Sequence, residues 1–268
     1  MEPGLARDAL TLLLGFTTGV LSALFGIGGA IVSNPGLRAL GAAPLVAVGT
    51  TLPSILPGAI SGTLRYRREG LIDWQLIVPA AASGLLAVVA GSLLSHAVPG
   101  GGHLLLLLIA VLLAFTAWRT AVAPPAAPAL EAAEDVSPSA PERRTRWRAA
   151  GSGVVAGLLS GLLGIGGGVI MVPAFTELLG MSLKSAIATS LVCVGIFGVP
   201  ATITHAFLGD IDWRLAVLLT IGVIPGARIG ASLTIRTAER RLRLAVGVFL
   251  ALVALVYFVT ETRALLAL

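Results

Sequence analysis

Charge is what this sequence lacks. Charged residues make up 12% of the 268, against 56% hydrophobic, and the mean hydropathy is +0.98. Soluble domains carry about 25% charged residues, and a soluble fold of this length needs polar surface that the chain does not have. The single cysteine, Cys193, excludes an internal disulfide and sits in an apolar run, where it reads as a small packing residue. A net charge of +5 and a pI near 10.6 do not indicate nucleic acid. The basic residues sit in short clusters between apolar runs, without aromatic interleaving, as they do beside membrane segments.

What is present is apolar sequence in long runs. Residues 9–37, 39–64, 75–118, 149–176, 185–209 and 244–260 contain no Asp, Glu, Lys or Arg. A bilayer-spanning helix needs about 20 apolar residues. The expected fold is therefore all-α, a polytopic transmembrane bundle with lipid as its surroundings. The first run is too long for the apolar core of a cleavable signal and reads as a segment that stays.

Residues 123–148 differ from the rest. They are rich in Pro, Ala and Glu, then basic, and read as a solvated linker between a first repeat, 1–122, and a second, 149–268. The repeats are visible in the sequence. Gly19-Val20-Leu21-Ser22-Ala23-Leu24-Phe25-Gly26-Ile27-Gly28-Gly29 matches Gly157-Leu158-Leu159-Ser160-Gly161-Leu162-Leu163-Gly164-Ile165-Gly166-Gly167, and Pro35 matches Pro173. After a one-residue shift, Thr50-Thr51 matches Thr189-Ser190, and Asp73-Trp74 matches Asp212-Trp213. Four segments per half are expected, at 9–38, 44–64, 74–95 and 103–121, then 150–178, 184–207, 213–235 and 242–261, eight in all. An even number per half makes the repeats run in the same direction and puts the termini and linker on one side. The linker is expected in the cytoplasm, with Arg65, Arg67 and Arg68. Arg236, Arg240, Arg241 and Arg243 then fall on the other side, against the positive-inside rule.

The first segment of each half is expected to break at its glycines: Gly26, Gly28 and Gly29, and Gly164, Gly166, Gly167 and Gly168. Each glycine costs about 1 kcal/mol against alanine in a helix. A break frees backbone groups that lipid cannot satisfy, so it must be buried or line a cavity. The helix after it aims the positive end of its dipole at that place, which suits an anion. The glycines spaced four apart (Gly153, Gly157 and Gly161; Gly222, Gly226 and Gly230; Gly58 and Gly62) read as packing ridges. No Lys-Ser/Thr follows either GIGG, which excludes a Walker loop, and apolar flanks exclude a dinucleotide fold.

These residues resemble the TauE/SafE family of sulfite exporters. The resemblance rests on the duplicated G-x-x-S-x-x-x-G-I-G-G pattern, Pro35 and Pro173, the Thr50-Thr51 and Thr189-Ser190 pairs and the two Asp-Trp turns, and it covers nearly everything but the linker. It implies a bacterial inner-membrane permease for small anions, sulfite, sulfonates or related organosulfur compounds, with no cofactor. The first half departs from the fuller pattern, with Ala30 where the second has Gly168 and with Ser33-Asn34 before its proline.

Further candidates are polar residues within apolar segments. The hydroxyls of Thr50, Thr51, Thr189 and Ser190 can donate to an oxyanion or bond back to their own helices. Arg228 either faces an anion or snorkels to the interface. His205 and Glu177 are candidates for proton coupling. No metal ligand set is evident. The reading is a secondary transporter and not an enzyme. The alternatives are a passive channel and a membrane-embedded hydrolase using Ser160 with His205, the latter weakened because Ser160 is duplicated at Ser22 and His205 is not duplicated.

Overall fold

The computed structural model describes residues 4–95, 103–122 and 139–266. Among the described residues the fold is wholly helical. The first half contains α1 (Leu5–Phe25), α2 (Ala30–Ala39), α3 (Pro44–Arg67), α4 (Trp74–Ser95) and α5 (His103–Val122); the second contains α6 (Ser139–Leu163), α7 (Gly168–Leu178), α8 (Leu183–Leu208), α9 (Trp213–Arg236) and α10 (Glu239–Leu266). Six of them, α1, α3, α4, α8, α9 and α10, are long and apolar enough to cross a membrane by themselves. The Pro/Ala/Glu part of the expected linker, 123–138, lies outside the described residues. Its basic end does not stay irregular, because α6 starts at Ser139 and carries Arg146 and Arg148 in its first turns.

The first segment of each half is not one interrupted pass. Gly36 of α2 packs on the side chain of Leu14, and Gly29 on Thr18 and Ser22. A helix rises 1.5 Å per residue, so two helices in line would hold residues 14 and 36 some 30 Å apart. α2 therefore folds back along α1. α7 does the same along α6, with Gly167 on Ala156 and Arg148 bonded to the Leu178 carbonyl. Each half consists of a re-entrant hairpin followed by three helices.

This changes the topology expected from eight straight passes. α1, α3 and α9 begin on one face, where Arg214 pairs with Asp8 and Gly49 packs on Asp210 of the α8–α9 loop. We call this the terminal face. α3 and α8 run antiparallel, with Gly62 against Leu191, Gly195 against Ala59 and Gly198 against Ile55. The repeats are thus inverted, not parallel, because the hairpin adds no net crossing and leaves an odd number. The opposite, linker face gathers the ends of α3, α5 and α9 and the starts of α6, α8 and α10. Contacts there include Arg119 with Glu177, Lys184 Nζ with the Ile235 carbonyl and Leu183 N–H with Glu239. Arg65, Arg67, Arg68, Arg119, Arg146, Arg148, Lys184, Arg236, Arg240, Arg241 and Arg243 all lie towards this face, and Arg7, Arg38 and Arg214 towards the other. The conflict over Arg236 to Arg243 in the sequence-based topology disappears.

The halves interlock. α1 lies against α9 and α6 against α4, so the opening helix of each half packs on the fourth helix of the other. Glycines make this possible by removing side chains where backbones meet. A methyl on Gly15 or Gly19 falls within 2.4 Å of the Leu219 or Val223 carbonyl, and one on Gly222, Gly226 or Gly230 reaches α1 main chain at 2.1–2.3 Å. Gly153, Gly157 and Gly161 meet α4 main chain at 2.0–2.4 Å. Such close approach, with apolar faces turned outward, is how helices pack in lipid.

Two outcomes follow. Gly161→Leu places a Cβ 2.0 Å from the Val88 carbonyl, which rigid main chain cannot absorb. Overpacking costs about 1–3 kcal/mol or more, and the variant should show a lower melting temperature in detergent and a dispersed gel-filtration profile. Cysteines at Gly4 and Ala43 should react with an impermeant maleimide from the same side of the membrane, and one at Arg68 from the other. Labelling of the first two from opposite sides would restore eight straight passes.

Candidate functional site

Both hairpins turn on glycines that no other residue replaces easily. α1 ends at Gly26 in the left-handed region (φ 67°), and Gly28 follows at φ 81°. In the second half Gly164, Gly166 and Gly167 have φ of 64°, 81° and 74°. L-residues other than glycine adopt this region only at about 1–2 kcal/mol. The turns are closed by Gly26 N–H to Ser22 O and Gly164 N–H to Ser160 O, each at 2.8 Å.

The two turns meet. A methyl on Gly28 falls 2.7 Å from the Ile165 carbonyl and 3.4 Å from Gly166 Cα, and Val194 flanks both. Val194 and Ile55, which flanks Gly166, lie near the middles of α8 and α3, so the turns meet at the middle of the bundle. Each also reaches past the other onto the central helix of the opposite half, Gly26 onto Ile187 and Ser190, Gly164 onto Val48. The extra glycine of the second half has a steric reason. Gly168 lies on the Gly26 carbonyl, 2.2 Å from where a Cβ would sit, whereas Ala30 keeps its methyl. Every residue from Phe25 to Ile31 and from Leu163 to Val169 is buried.

α2 and α7 begin at these turns, and neither N-terminus receives a side-chain cap. The first N–H groups of a helix have no partner within it and carry the positive end of its dipole. Two such ends, one entering from each face, come to the centre of the bundle.

The paired hydroxyls are buried beside the turns and engaged. Thr50 Oγ1 accepts from Asp212 N–H (2.9 Å), and Thr189 Oγ1 from Asp73 N–H (3.1 Å). Each holds the loop before the fourth helix of the other half. Asp73 and Asp212 cap those helices, accepting from Leu76 N–H and Leu215 N–H. Ser190 Oγ donates to the Gly26 carbonyl at 2.9 Å and so braces the first turn directly. Thr51 Oγ1 bonds Asn34 Oδ1 and the Ala47 carbonyl and accepts from Ser33 Oγ.

The charged candidates lie elsewhere. Arg228 is on the exposed face of α9 with Ile224 and Ile229, away from the turns. Glu177 is part-exposed on the linker face, paired with Arg119. His205 is fully buried near the terminal face, with Nδ1 2.7 Å from Asp210 Oδ2. Tyr66, its counterpart in the first half, donates to the Ala23 carbonyl at 2.5 Å. Ser160 Oγ is buried without a hydrogen-bond partner, so no Ser160–His205 dyad is formed. No cluster of three metal-ligating side chains occurs among the described residues. Sequence reasoning passed over Asn34 and Tyr257 as site residues. Only the departure of Ser33-Asn34 from the repeat pattern marked the first, and nothing marked the second.

The chain is similar to known membrane transporter proteins. The family described as sulfite exporter TauE/SafE matches residues 11–257. A probable membrane transporter protein of Xylella fastidiosa is 30% identical over 226 residues, 84% of this chain and 82% of that protein. The probable membrane transporter protein YunE of Bacillus subtilis is 28% identical over 241 residues, 84% of this chain and 87% of YunE. The probable membrane transporter protein MamO of Magnetospirillum gryphiswaldense is 32% identical over 203 residues, 66% of this chain but 32% of MamO. No solved structure matches the chain. With the family pattern running through both re-entrant hairpins and all the long helices, this chain belongs to the TauE/SafE family of membrane transporters.

Proposed function

We propose that the protein is a secondary transporter that moves a small anion, a sulfite, sulfonate or related organosulfur anion, across a bacterial inner membrane by alternating access. The observation that carries this reading is the meeting of two glycine turns at the middle of the bundle, with an uncapped helix N-terminus behind each. Inverted repeats with interrupted helices at the centre are a recurrent design of secondary transporters. Helix N-termini stabilise negative charge, and glycines let an anion approach the amides. The candidate substrate contacts are Gly26, Gly28, Gly29, Gly164, Gly166, Gly167 and Gly168, with Ser190 and Thr51 bracing them. Thr50 and Thr189 serve this site by fixing the opposite loops. Arg228, His205 and Glu177 sit away from the turns and have no direct part in it.

The turns are fully buried, which corresponds to a closed state. In alternating access an inverted pair exchanges roles, so the hairpin that seals one face in one state opens it in the other. The driving force is a solute or ion gradient, since the sequence has no nucleotide-binding loop. The linker face is assigned to the cytoplasm because the basic residues concentrate there.

The test is flux with the central helices of the two halves locked together beside the turns. In a Cys193→Ser background, Ile55→Cys on α3 with Gly198→Cys on α8 places two Cβ atoms 3.3 Å apart, close to disulfide range. Proteoliposomes holding this variant are assayed with labelled sulfite, sulfate, taurine and acetate under imposed pH gradients. Saturable uptake, present in the reduced variant, should fall at least tenfold on oxidation and return on reduction. Undiminished flux on oxidation would show that the halves do not move apart during transport, and unsaturable flux in the reduced state would indicate a channel.

A further inference from the structure

The halves diverge one turn into the re-entrant helices. α2 carries Ser33 and Asn34, both fully buried, where α7 carries the apolar Met171 and Val172. Asn34 Oδ1 is 3.0 Å from Thr51 Oγ1, which is itself 3.0 Å from Ser33 Oγ, and Ser33 also reaches the Gly29 carbonyl at 3.1 Å. This chain of contacts links the side chains to Gly29, the last residue of the turn before α2. Tyr257 of α10, 1% exposed, faces Asn34 and Arg38 from the other side. In the frame that aligns the GIGG runs, the place of Arg38 is taken in α7 by Thr176, and in the one-residue-shifted frame of the later helices that of Tyr257 is taken in α5 by Trp118.

Two polar atoms of this group, Asn34 Nδ2 and the Tyr257 hydroxyl, are buried and make no hydrogen bond of good geometry, although the two side chains face each other. Buried polar groups are normally paired, and each exception asks for an explanation. The Asn34 amide nitrogen only donates, and its oxygen is already used by Thr51. The tyrosine hydroxyl can accept one of the two amide protons, which leaves the second amide proton and the hydroxyl proton to be given. Arg38 adds positive charge and a donor fork that matches two oxygens of one centre. A hard metal ion would need oxygen acceptors instead. We propose that Asn34 Nδ2, the Tyr257 hydroxyl and the Arg38 guanidinium form one oxyanion subsite, specific to the first half, for a small solute with two or more oxygens on one centre. The subsite adjoins the α2 turn, and the proposal rests on the anion-transporter reading. An inverted repeat offers two equivalent places for a ligand, but only one carries the donors, so each chain takes one anion.

The test is direct binding to purified full-length protein, with sulfite, sulfate, taurine and acetate each titrated calorimetrically. The wild type should bind one or more of these at one anion per chain. Tyr257→Phe should weaken that binding by roughly tenfold or more, as loss of a hydrogen bond to a charged group does. Its melting temperature without ligand should stay level, because the oxygen removed meets Asn34 without good hydrogen-bond geometry. Asn34→Leu, similar in size, should abolish binding. The mirror variant Met171→Ser with Val172→Asn should change affinity less than twofold. Wild-type affinity in Tyr257→Phe, or two anions per chain, would overturn the subsite while leaving transport intact. A wild type that binds none of the four would overturn the anion reading and the subsite with it.

Discussion

The structure depends on main chain meeting main chain inside a medium that offers no water. Where the two hairpins turn, the peptide groups of one GIGG run lie on those of the other, with Gly28 and Gly166 in mutual contact. Lipid cannot satisfy a polar backbone, so irregular chain at this depth survives only when enclosed by protein. The enclosure comes from the opposite repeat. Ser190 of α8 donates to the Gly26 carbonyl, and Val194 covers both turns at once. Each half supplies one backbone bond to its own turn, and the other half supplies the walls around it.

The same economy of side chains governs the outer contacts. Rows of glycine on α6 and α9 let α4 and α1 approach until carbonyls touch Cα atoms, and the exposed faces are left to Leu, Ile, Val and Phe. The symmetric latches from Thr50 to Asp212 and from Thr189 to Asp73 tie each long central helix to the other half's loop. The frame is therefore nearly two-fold, and its departures are local: Gly168 for Ala30, and Ser33-Asn34 for Met171-Val172. The first is steric. The second changes the chemistry of one side only.

Much of this was legible in the residues. The duplicated GIGG and Asp-Trp patterns gave the repeat, and charge-free runs held most of α1, α3, α4 and α8, whereas α9 carries Arg214 and Arg228 and lies in no such run. The direction of α2 was not legible, because a glycine run between apolar stretches fits a bent pass as well as a return. Only the contact of Gly36 with Leu14 separates them. The charge distribution held a hint, since Arg236 to Arg243 opposed the parallel arrangement. For Thr50 and Thr189 the sequence left open an oxyanion and a bond back to their own helices, and their bonds to the Asp212 and Asp73 amides were not legible because those residues are distant in sequence. Arg228 stood out in composition alone. Its neighbours Ile224 and Ile229 share its outward face, which three-residue and four-residue spacing also encodes. Asn34 and Tyr257 belong to separate helices, and no local pattern connects them.

The interlock also sets an order of assembly. α6 finds α4 soon after it leaves the ribosome. α1 is made first of all, yet the surface it needs, around Leu219 and Val223, is made near the end. Throughout synthesis the glycine-lined side of α1 lies open to lipid or to whatever insertion machinery shelters it, and its turn lacks Ser190 to close it. The nascent first half is thus an unfinished object, and truncation anywhere before α9 leaves it without the partner that completes it.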